Sequence, residues 1–216
     1  MKTFLSIGSG PGLSFATAAR FAREGFRITL SNRNAAKARE LAERLNRNGY
    51  PAEGRTVDSG DPEGVASLIG DVERQFGTID VLHYNTASMR KATLEEQPRN
   101  TFGEDLAVNI GGALVAVQTV AQQMAPRRSG TILLTGGGYS VTPNPQYISL
   151  SVGKAGIRAL TLGMFDSLKQ KGIHIATVTV EVALKEPRQA EAAGELFWQL
   201  HSQPINSWTA EVKYGG

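Results

Sequence analysis

The sequence predicts an α/β protein built on a doubly wound, mostly parallel sheet of seven strands. Short apolar segments rich in β-branched residues alternate from end to end with segments of helical period. Glycines follow the first and the fifth apolar segments directly. Continuously apolar strands of this kind are typical of parallel sheets whose two faces are covered by helices. Right-handed crossovers then favour the strand order 3-2-1-4-5-6-7.

The first part of the chain contains four predicted strands and three predicted helices. The strands cover residues 2–7, 27–32, 52–57 and 79–85. Helices with one apolar face lie between them, at residues 12–25, 34–48 and 61–77. Asp61 stands at the start of the third helix and is of a residue type that commonly caps helix N-termini.

The second part of the chain continues this alternation. After a polar segment at residues 88–103, helices are predicted at residues 104–124, 148–171 and 188–200. Strands are predicted at residues 130–138, 173–180 and 209–214. Because no linker, repeat or low-complexity tract interrupts the pattern, we predict a single domain over residues 1–216.

Composition excludes several classes of protein. The chain has 216 residues and no cysteine, which excludes disulfides, thiolate metal sites and a cysteine nucleophile. A cytoplasmic location is therefore expected, and we predict no metal site. No apolar run approaches the roughly 18–20 residues that span a bilayer. Gly8 and Gly10 interrupt the N-terminal apolar stretch too early for a signal peptide, so no membrane association is expected.

The net charge of +3 does not indicate a nucleic-acid partner. The basic residues are spread along helical faces, and in residues 34–48 they are interrupted by Glu40 and Glu43. Such alternation is typical of a solvated amphipathic helix rather than of a phosphate-binding stripe. We therefore predict no nucleic-acid partner; an RNA-binding domain is an alternative that only the basic charge supports.

The loop after the first strand, GSGPGLS, is predicted to bind the pyrophosphate of a dinucleotide. Its glycines permit a tight turn and let backbone N–H groups approach a phosphate at the start of the next helix. The spacing fits G-x-x-x-G rather than G-x-G-x-x-G, whose third glycine would fall on Leu13. The candidate contacts are Gly8, Ser9, Gly10, Gly12 and Leu13. A simple turn is the alternative for such a loop taken alone.

The end of the second strand predicts the type of dinucleotide. In sites that select NAD, an acidic residue here binds the ribose 2′-hydroxyl. This chain has the neutral Asn32 followed by Arg33, whose guanidinium can bind a 2′-phosphate through charge-assisted bonds of about 1.5–3 kcal/mol each. A solvated arginine is the alternative, although a helix start is an unfavourable place for a cation. We predict NADP(H) as the cofactor.

Together with later motifs, these features are similar to the short-chain dehydrogenase/reductase family over essentially the whole chain. The resemblance implies a Rossmann fold, a small-molecule substrate, and hydride transfer to or from a carbonyl or alcohol. The YNTA motif at residues 84–87 stands where the family has N-N-A-G, so only Asn85 matches strictly. The further site residues that the resemblance implies are Asp58 and Ser59 for the adenine, Asn85, Thr86 and Ala87 beside the cofactor, Asn109 for a relay water, and Lys154 for the nicotinamide ribose.

Two catalytic groups of the family are absent at their expected positions. The family pattern implies a tyrosine four residues before Lys154, which protonates the carbonyl oxygen, and a serine thirteen residues before that tyrosine. These positions hold Leu150 and Gly137. Four residues of helix turn about 400° and rise about 6 Å, so residues 150 and 154 share one helix face. The chain is thus identified as an atypical member of the family.

Two other tyrosines are candidates for the missing proton donor. Tyr147 lies seven residues before Lys154, and it would reach the site only from an extended segment that the proline-containing residues 143–146 favour. Tyr139 lies two residues past the serine position, on a loop expected to face the cofactor. A packed aromatic ring with its hydroxyl at the surface is the alternative for each. Lys154 itself, or a water held by Asn109, also remains a candidate.

The region after the sixth strand is shorter than the family pattern. Val180 and Glu181 replace the family's Pro-Gly, and only a few residues separate Ala183 from the next helix. We therefore expect a shortened, open substrate region within about residues 137–190. Two functions remain: an NADP(H)-dependent oxidoreductase with an atypical active site, or a catalytically silent NADP(H)-binding sensor or regulatory protein.

The resemblance also implies a homodimer or homotetramer. The family commonly pairs the helices around Asn109 and Lys154 between subunits. In this chain the two helices carry small residues, which favour close approach between helices: Gly111, Gly112, Gly153 and Gly156.

Overall fold

The computed structural model describes residues 1–215 and places the seven predicted strands in one sheet. The strands are β1 (Thr3–Ile7), β2 (Arg27–Asn32), β3 (Ala52–Thr56), β4 (Val81–Tyr84), β5 (Gly130–Gly137), β6 (Ile173–Val180) and β7 (Glu211–Tyr214). Their order is β3-β2-β1-β4-β5-β6-β7, which confirms the predicted topology. Each neighbouring pair is parallel, so the carboxyl ends of the strands lie at one edge of the sheet.

Helices connect the strands and cover both faces of the sheet. They are α1 (Leu13–Arg23), α2 (Ala35–Asn46), α3 (Pro62–Phe76), α4 (Thr101–Leu106), α5 (Gly112–Met124), α6 (Ile148–Gln170) and α7 (Pro187–Ser202). The prediction of one continuous α-helix over residues 104–124 is wrong in one respect. A π-helical turn at Ala107–Gly111 joins α4 to α5 in that segment.

Side chains from β4 and the loop after it hold this π-helical turn. The carbonyl oxygen of Val108 accepts hydrogen bonds from the hydroxyls of Tyr84 (2.9 Å) and Thr86 (2.8 Å). Burial raises the pKa of Tyr84 to about 12, so its hydroxyl keeps the proton that it donates. The turn buries Asn109 completely. π-Helical turns inside α-helices frequently mark functional sites.

Two apolar clusters form the core, one on each face of the sheet. Val117 and Ile157 belong to the cluster under α3, α5 and α6. Phe21 and Phe197 belong to the cluster under α1, α2 and α7. Burial on both faces explains why the strands are apolar without alternation. Within residues 1–215, no helix combines the length and the hydropathy that crossing a membrane requires.

The glycines of α6 allow close packing within the chain. A Cβ atom at Gly153 would lie 2.3 Å from Cβ of Asn109, and one at Gly156 would lie 2.9 Å from Cγ1 of Ile110. Both contacts are with the π-helical turn of the same chain. The close contacts of these two glycines lie within the chain, and the expectation of an oligomer rests on the family resemblance.

Candidate active site

Two adjoining cavities open at the carboxyl ends of the strands. The larger has a volume of about 970 Å³ and is lined by residues 85–87, Met89, residues 135–139 and 141–145, Leu150, Lys154, residues 180–183 and Lys213. The smaller has a volume of about 490 Å³ and is lined by residues 8–10, Asn32, Arg33, residues 57–59 and 85–89, and Val108. The segment after β4 lines both cavities. Most residues singled out in the sequence therefore meet at this edge.

The glycine loop after β1 forms one end of the smaller cavity. Gly8 has a φ of +84°, and a Cβ atom there would lie 2.4 Å from Cγ2 of Thr86. A Cβ atom at Gly10 or Gly12 would meet no atom within 4 Å, so open space adjoins the loop backbone. The hydroxyl oxygen of Ser14 accepts a hydrogen bond of 2.7 Å from the N–H of Gly10 and fixes the loop on α1. Leu13 is the first residue of α1.

Asn32 has a structural role that the sequence did not reveal. Its Nδ2 donates to the carbonyl of Ser9 (2.6 Å), and its Oδ1 accepts from the N–H of Asn34 (2.8 Å). The side chain thus joins the end of β2 to the glycine loop. Arg33 is exposed at the smaller cavity and forms no ion pair with any group of residues 1–215.

Asp58 and Ser59 follow β3 and line the same small cavity. One oxygen of the exposed Asp58 carboxylate accepts a hydrogen bond of 2.9 Å from the N–H of Gly60. This bond fixes the turn after β3. An adenine contact from these two residues stays a prediction.

Asn85 ties three strand ends together beside the larger cavity. Its Nδ2 donates to the carbonyl of Gly8 (3.2 Å), and its Oδ1 accepts from the hydroxyl of Thr135 (2.8 Å). The same hydroxyl lies 3.1 Å from Nε2 of His83. Burial, with a smaller contribution from the charge of Lys154, lowers the pKa of His83 to about 3, so the imidazole stays neutral.

Lys154 lies at the bottom of the larger cavity with 8% of its surface exposed. Its ammonium donates to the carbonyl oxygens of Thr135 (2.8 Å) and Thr86 (3.4 Å), at the ends of β5 and β4. A lysine ammonium has three hydrogens, so one remains for a group in the cavity. Burial lowers the pKa of Lys154 to about 8, which brings its titration close to neutral pH.

Asn109 positions the segment after β4 through its side chain. Its Oδ1 accepts a hydrogen bond of 2.6 Å from the N–H of Ser88, and its Nδ2 donates to the carbonyl of the same residue (3.3 Å). Both amide atoms are therefore occupied by the backbone of Ser88. A relay water held near Asn109 stays a prediction.

A buried polar cluster around Asp105 also holds the segment after β4, and it was not predicted from the sequence. The Asp105 carboxylate, 2% exposed, accepts hydrogen bonds from Ser88 Oγ (2.6 Å), Arg90 Nε (2.8 Å) and Gln97 Nε2 (2.9 Å). Burial alone would raise the pKa of Asp105, but the bonds from Arg90 and Ser88 lower it, so the group is ionised. The Gln97 side chain also accepts from the hydroxyl of Ser149 in α6 (2.6 Å). The only sequence signal was a carboxylate on the buried face of a helix.

The family follows from a comparison with known proteins. A profile described as short chain dehydrogenase matches residues 2–192. The chain belongs to the short-chain dehydrogenase family. It is 26% identical to the gluconate 5-dehydrogenase of Gluconobacter oxydans, over 206 residues that cover 94% of this chain and 80% of that enzyme.

Solved structures of the family include complexes with both nicotinamide dinucleotides. A gluconate 5-dehydrogenase from Burkholderia cenocepacia, in complex with NADP and tartrate, is 28% identical, with a TM-score of 0.78 and coverage of 83% of this chain and 71% of that chain. An NAD⁺-bound xylitol dehydrogenase is 27% identical, with a TM-score of 0.79 and coverage of 83% and 70%. The relatives therefore indicate a nicotinamide cofactor without deciding between its two forms.

Leu150 and Gly137, which stand where the family resemblance implies a tyrosine and a serine, both lie at the larger cavity. Leu150, 4% exposed, lines the cavity in the helix that carries Lys154. Gly137 lies at the end of β5 on the wall of the same cavity. A Cβ atom at Gly137 would meet Cγ of Lys154 at 3.5 Å, an ordinary van der Waals distance. Packing therefore does not require glycine at this position.

The two candidate tyrosines of this family member differ in position. Tyr139 lines the larger cavity, and its hydroxyl lies 3.4 Å from Nδ2 of Asn144. Tyr147 is the N-cap residue of α6 and is not among the residues that line the cavity. Its ring stacks on that of Tyr139, with centroids 5.7 Å apart. The structure thus places Tyr139 at the cavity and Tyr147 behind it.

Proposed function

We propose that the protein is an NADP(H)-dependent oxidoreductase that acts on a small carbonyl compound or alcohol through an atypical active site. The observation that carries the proposal is the buried ammonium of Lys154 at the bottom of a large cavity, where the ends of β4 and β5 meet. A nicotinamide supplies or accepts the hydride when it is bound. The chain's own residues hold the dinucleotide, orient the substrate and deliver the proton.

The glycine loop fits a dinucleotide, and this fit supports the cofactor part of the proposal. The open space beside Gly10 and Gly12 lets backbone N–H groups at the start of α1 approach a pyrophosphate. Gly8 differs, because its positive φ and its close contact with Thr86 are needed for folding whether or not a cofactor is bound. The loop therefore contains one glycine that the fold requires and two that leave space for a ligand.

Substitution of these glycines is expected to separate folding from cofactor binding. Gly8→Ala forces a side chain into a left-handed backbone and against Thr86, so the free energy of unfolding should fall by about 2–4 kcal/mol. Gly12→Ala should leave the stability of the cofactor-free protein within about 0.5 kcal/mol and weaken NADPH binding about tenfold or more. Urea unfolding and calorimetric titration with NADPH measure the two effects. Equal stability of the two variants would contradict the assignment.

Arg33 supports NADP(H) rather than NAD(H), because it is an exposed cation beside the neutral Asn32 at the smaller cavity. Arg33→Ala is expected to weaken NADPH binding about 10- to 100-fold and to leave NADH binding nearly unchanged, since only NADPH carries the 2′-phosphate. Calorimetric titration of both dinucleotides measures the difference. Arg39→Ala, which removes an exposed cation of the following helix α2 that does not line the cavity, is the matched control. An unchanged ratio of the two affinities in Arg33→Ala would contradict the proposal.

Two groups of the larger cavity can deliver a proton to a carbonyl oxygen. One is the Lys154 ammonium, which donates two of its three hydrogens to backbone carbonyls and has its pKa lowered by burial to about 8. The other is the hydroxyl of Tyr139, which lies beside Asn144 and also lines this cavity. A general acid with a pKa near the working pH is the more effective one. We therefore assign the proton to Lys154 Nζ, with Tyr139 as a hydrogen-bond donor to the substrate.

Tyr139→Phe tests this division of roles and has a built-in control. If Tyr139 only binds the substrate, its loss should raise KM by about three- to tenfold and lower kcat by less. A fall in kcat of about 10² or more would instead make Tyr139 the general acid. Tyr147→Phe removes the hydroxyl of the ring stacked behind it and should change neither parameter by more than about twofold. Steady-state kinetics of NADPH oxidation measure both variants.

A catalytically silent NADP(H)-binding protein is the second candidate, and one specific observation favours it. Leu150 and Gly137 bring no hydroxyl to the cavity wall where the family pattern has two. A contact of Lys154 with the nicotinamide ribose would be compatible with either candidate, whereas transfer of its proton to a substrate belongs to the oxidoreductase alone. NADPH binding with no oxidation across a panel of aldehydes, ketones and enones would favour the silent protein.

The substrate region and the assembly of subunits are also part of the proposed function. We propose one domain whose substrate region, about residues 137–190, is shortened, because only residues 181–186 link β6 to α7. So short a link leaves the larger cavity open and excludes water less well than a long lid would. The family resemblance supports a homodimer or homotetramer.

A further inference from the structure

Large apolar side chains are exposed around the mouth of the larger cavity. Among residues 1–215, Met89, Val141 and Val182 are 66%, 47% and 40% exposed, and each lines this cavity. They come from three different loops, which follow β4, β5 and β6. Exposed apolar residues that gather in one place usually mark a binding surface, whereas scattered ones are normal.

The bottom of the cavity has the opposite character. Lys154 directs its ammonium to the ends of β4 and β5, next to the hydroxyl-bearing Thr135. The cavity thus has a buried cation at its bottom and exposed apolar side chains at its mouth. A molecule with a carbonyl group at one end and an apolar body at the other matches this arrangement.

The charges of the cavity wall do not favour a charged substrate. The Lys213 ammonium of β7 lies 2.9 Å from the carboxylate of Glu181, so the two charges neutralise each other. The Glu181 side chain is 20% exposed, and its N–H donates to the carbonyl of Tyr214, which fixes it beside β7. Apart from this pair, Lys154 is the one charged side chain that lines the cavity within residues 1–215.

We propose that the substrate is an uncharged carbonyl compound or alcohol with an extended apolar body, and that Met89, Val141 and Val182 determine this specificity. The proposal rests on the proposed function and names its substrate class. The carbonyl or hydroxyl group lies towards Lys154, and the apolar body lies along the three side chains at the mouth. Binding then removes apolar surface of both partners from water.

Direct binding of a homologous series tests the proposal without relying on turnover. The protein, free and saturated with NADP⁺, is titrated calorimetrically with linear primary alcohols of about four to ten carbons. Each added methylene is expected to lower Kd up to about fourfold until the mouth is filled. A Kd that does not depend on chain length would overturn the proposal.

Variants of similar shape assign the effect to the three side chains. Met89→Gln, Val141→Thr and Val182→Thr are each expected to weaken binding of the longest alcohol about three- to tenfold and that of the shortest less than twofold. Ile205→Thr is the matched control, because Ile205 is 49% exposed but does not line this cavity. Equal losses in the control and in the three variants would overturn the assignment.

A charged analogue tests the part played by the ion pair. An alcohol with a terminal carboxylate is expected to bind at least about fivefold more weakly than the uncharged alcohol of equal length, because Glu181 neutralises Lys213. Glu181→Gln should remove this penalty. Tighter binding of the carboxylate by the unaltered protein would overturn the proposal and make Lys213 an anion site.

The same experiments separate this inference from the proposed function. Turnover of short polar ketones with a Kd independent of chain length would refute the apolar substrate and retain the oxidoreductase. Binding that depends on chain length, without turnover of any carbonyl compound, would refute the oxidoreductase and retain the apolar site.

Discussion

Replacing Leu150 with tyrosine is expected to raise the rate of carbonyl reduction by no more than about tenfold, because Lys154 already delivers the proton, whereas a site without any donor would gain about 10²–10⁴ from a positioned general acid. Position 150 precedes Lys154 by four residues in α6, so the two side chains point to the same side of the helix. Both line the larger cavity. A phenol at position 150 would therefore stand beside a buried ammonium, whose positive charge lowers the pKa of the phenol.

The structure has room for a tyrosine ring at position 150. Leu150 lies at the wall of a cavity of about 970 Å³ rather than inside a closed core. Extra side-chain volume therefore extends into open space and not into packed atoms, which limits the overpacking that such changes cause in a core. Thermal unfolding of the variant should stay within a few degrees of that of the unaltered protein.

Leu150→Phe is the matched control, because it brings the same ring without the hydroxyl. The gain belongs to proton transfer only if the tyrosine variant exceeds the phenylalanine variant in NADPH oxidation. Gly137→Ser should add a further gain in the double variant, since a side chain at that position meets Lys154 at an ordinary distance. Equal rates for the two ring variants would show that the proton is not limiting, and they would support a donor already present.

Much of the fold could be predicted from the sequence, because local pattern and topology agree. Buried parallel strands are apolar without alternation, and right-handed crossovers leave few arrangements of seven such strands. The strand order and the glycine loop were therefore predictable. The π-helical turn was not predictable, since it depends on hydrogen bonds that Tyr84 and Thr86, more than twenty residues earlier in the chain, donate to Val108.

The site was predictable in position but not in its supporting contacts. Motif spacing located Lys154 and the glycine loop, because both depend on helix and turn geometry near each residue. The contact of Asn32 with Ser9 and the cluster around Asp105 join segments that are distant in sequence, and one sequence alone carries no sign of such pairs. The choice between Tyr139 and Tyr147 required the conformation of an irregular loop, where no periodicity operates.

Lys154→Met is expected to lower kcat/KM by about 10³ or more and to weaken binding of the dinucleotide, because it removes the ammonium that we propose as the proton donor and as a contact of the nicotinamide ribose. Methionine has nearly the length of the lysine stem and carries no charge. Lys171→Met, at the exposed end of α6, is the control and should change neither quantity by more than about twofold. Full activity of Lys154→Met would exclude Lys154 from the chemistry.

The pH profile separates the charge of Lys154 from its shape. Burial lowers its pKa from 10.5 to about 8, so the ammonium predominates below pH 8 and is lost above it. The rate of carbonyl reduction should therefore be constant below about pH 8 and fall about tenfold per pH unit above it. Lys154→Arg keeps its charge at all these pH values, so its profile should be flat and its rate lower throughout.

Stability should respond to pH in the opposite direction to activity. Because the pKa of Lys154 is lower in the folded than in the unfolded protein, the unfolded chain binds more protons between pH 8 and 10.5. The contribution of this lysine to the free energy of unfolding therefore rises across that window, in which activity falls. The difference in unfolding free energy between the unaltered protein and Lys154→Met, measured in urea from pH 7 to 10, isolates that contribution. A fall in activity without the rise in stability would assign the titration near pH 8 to another group.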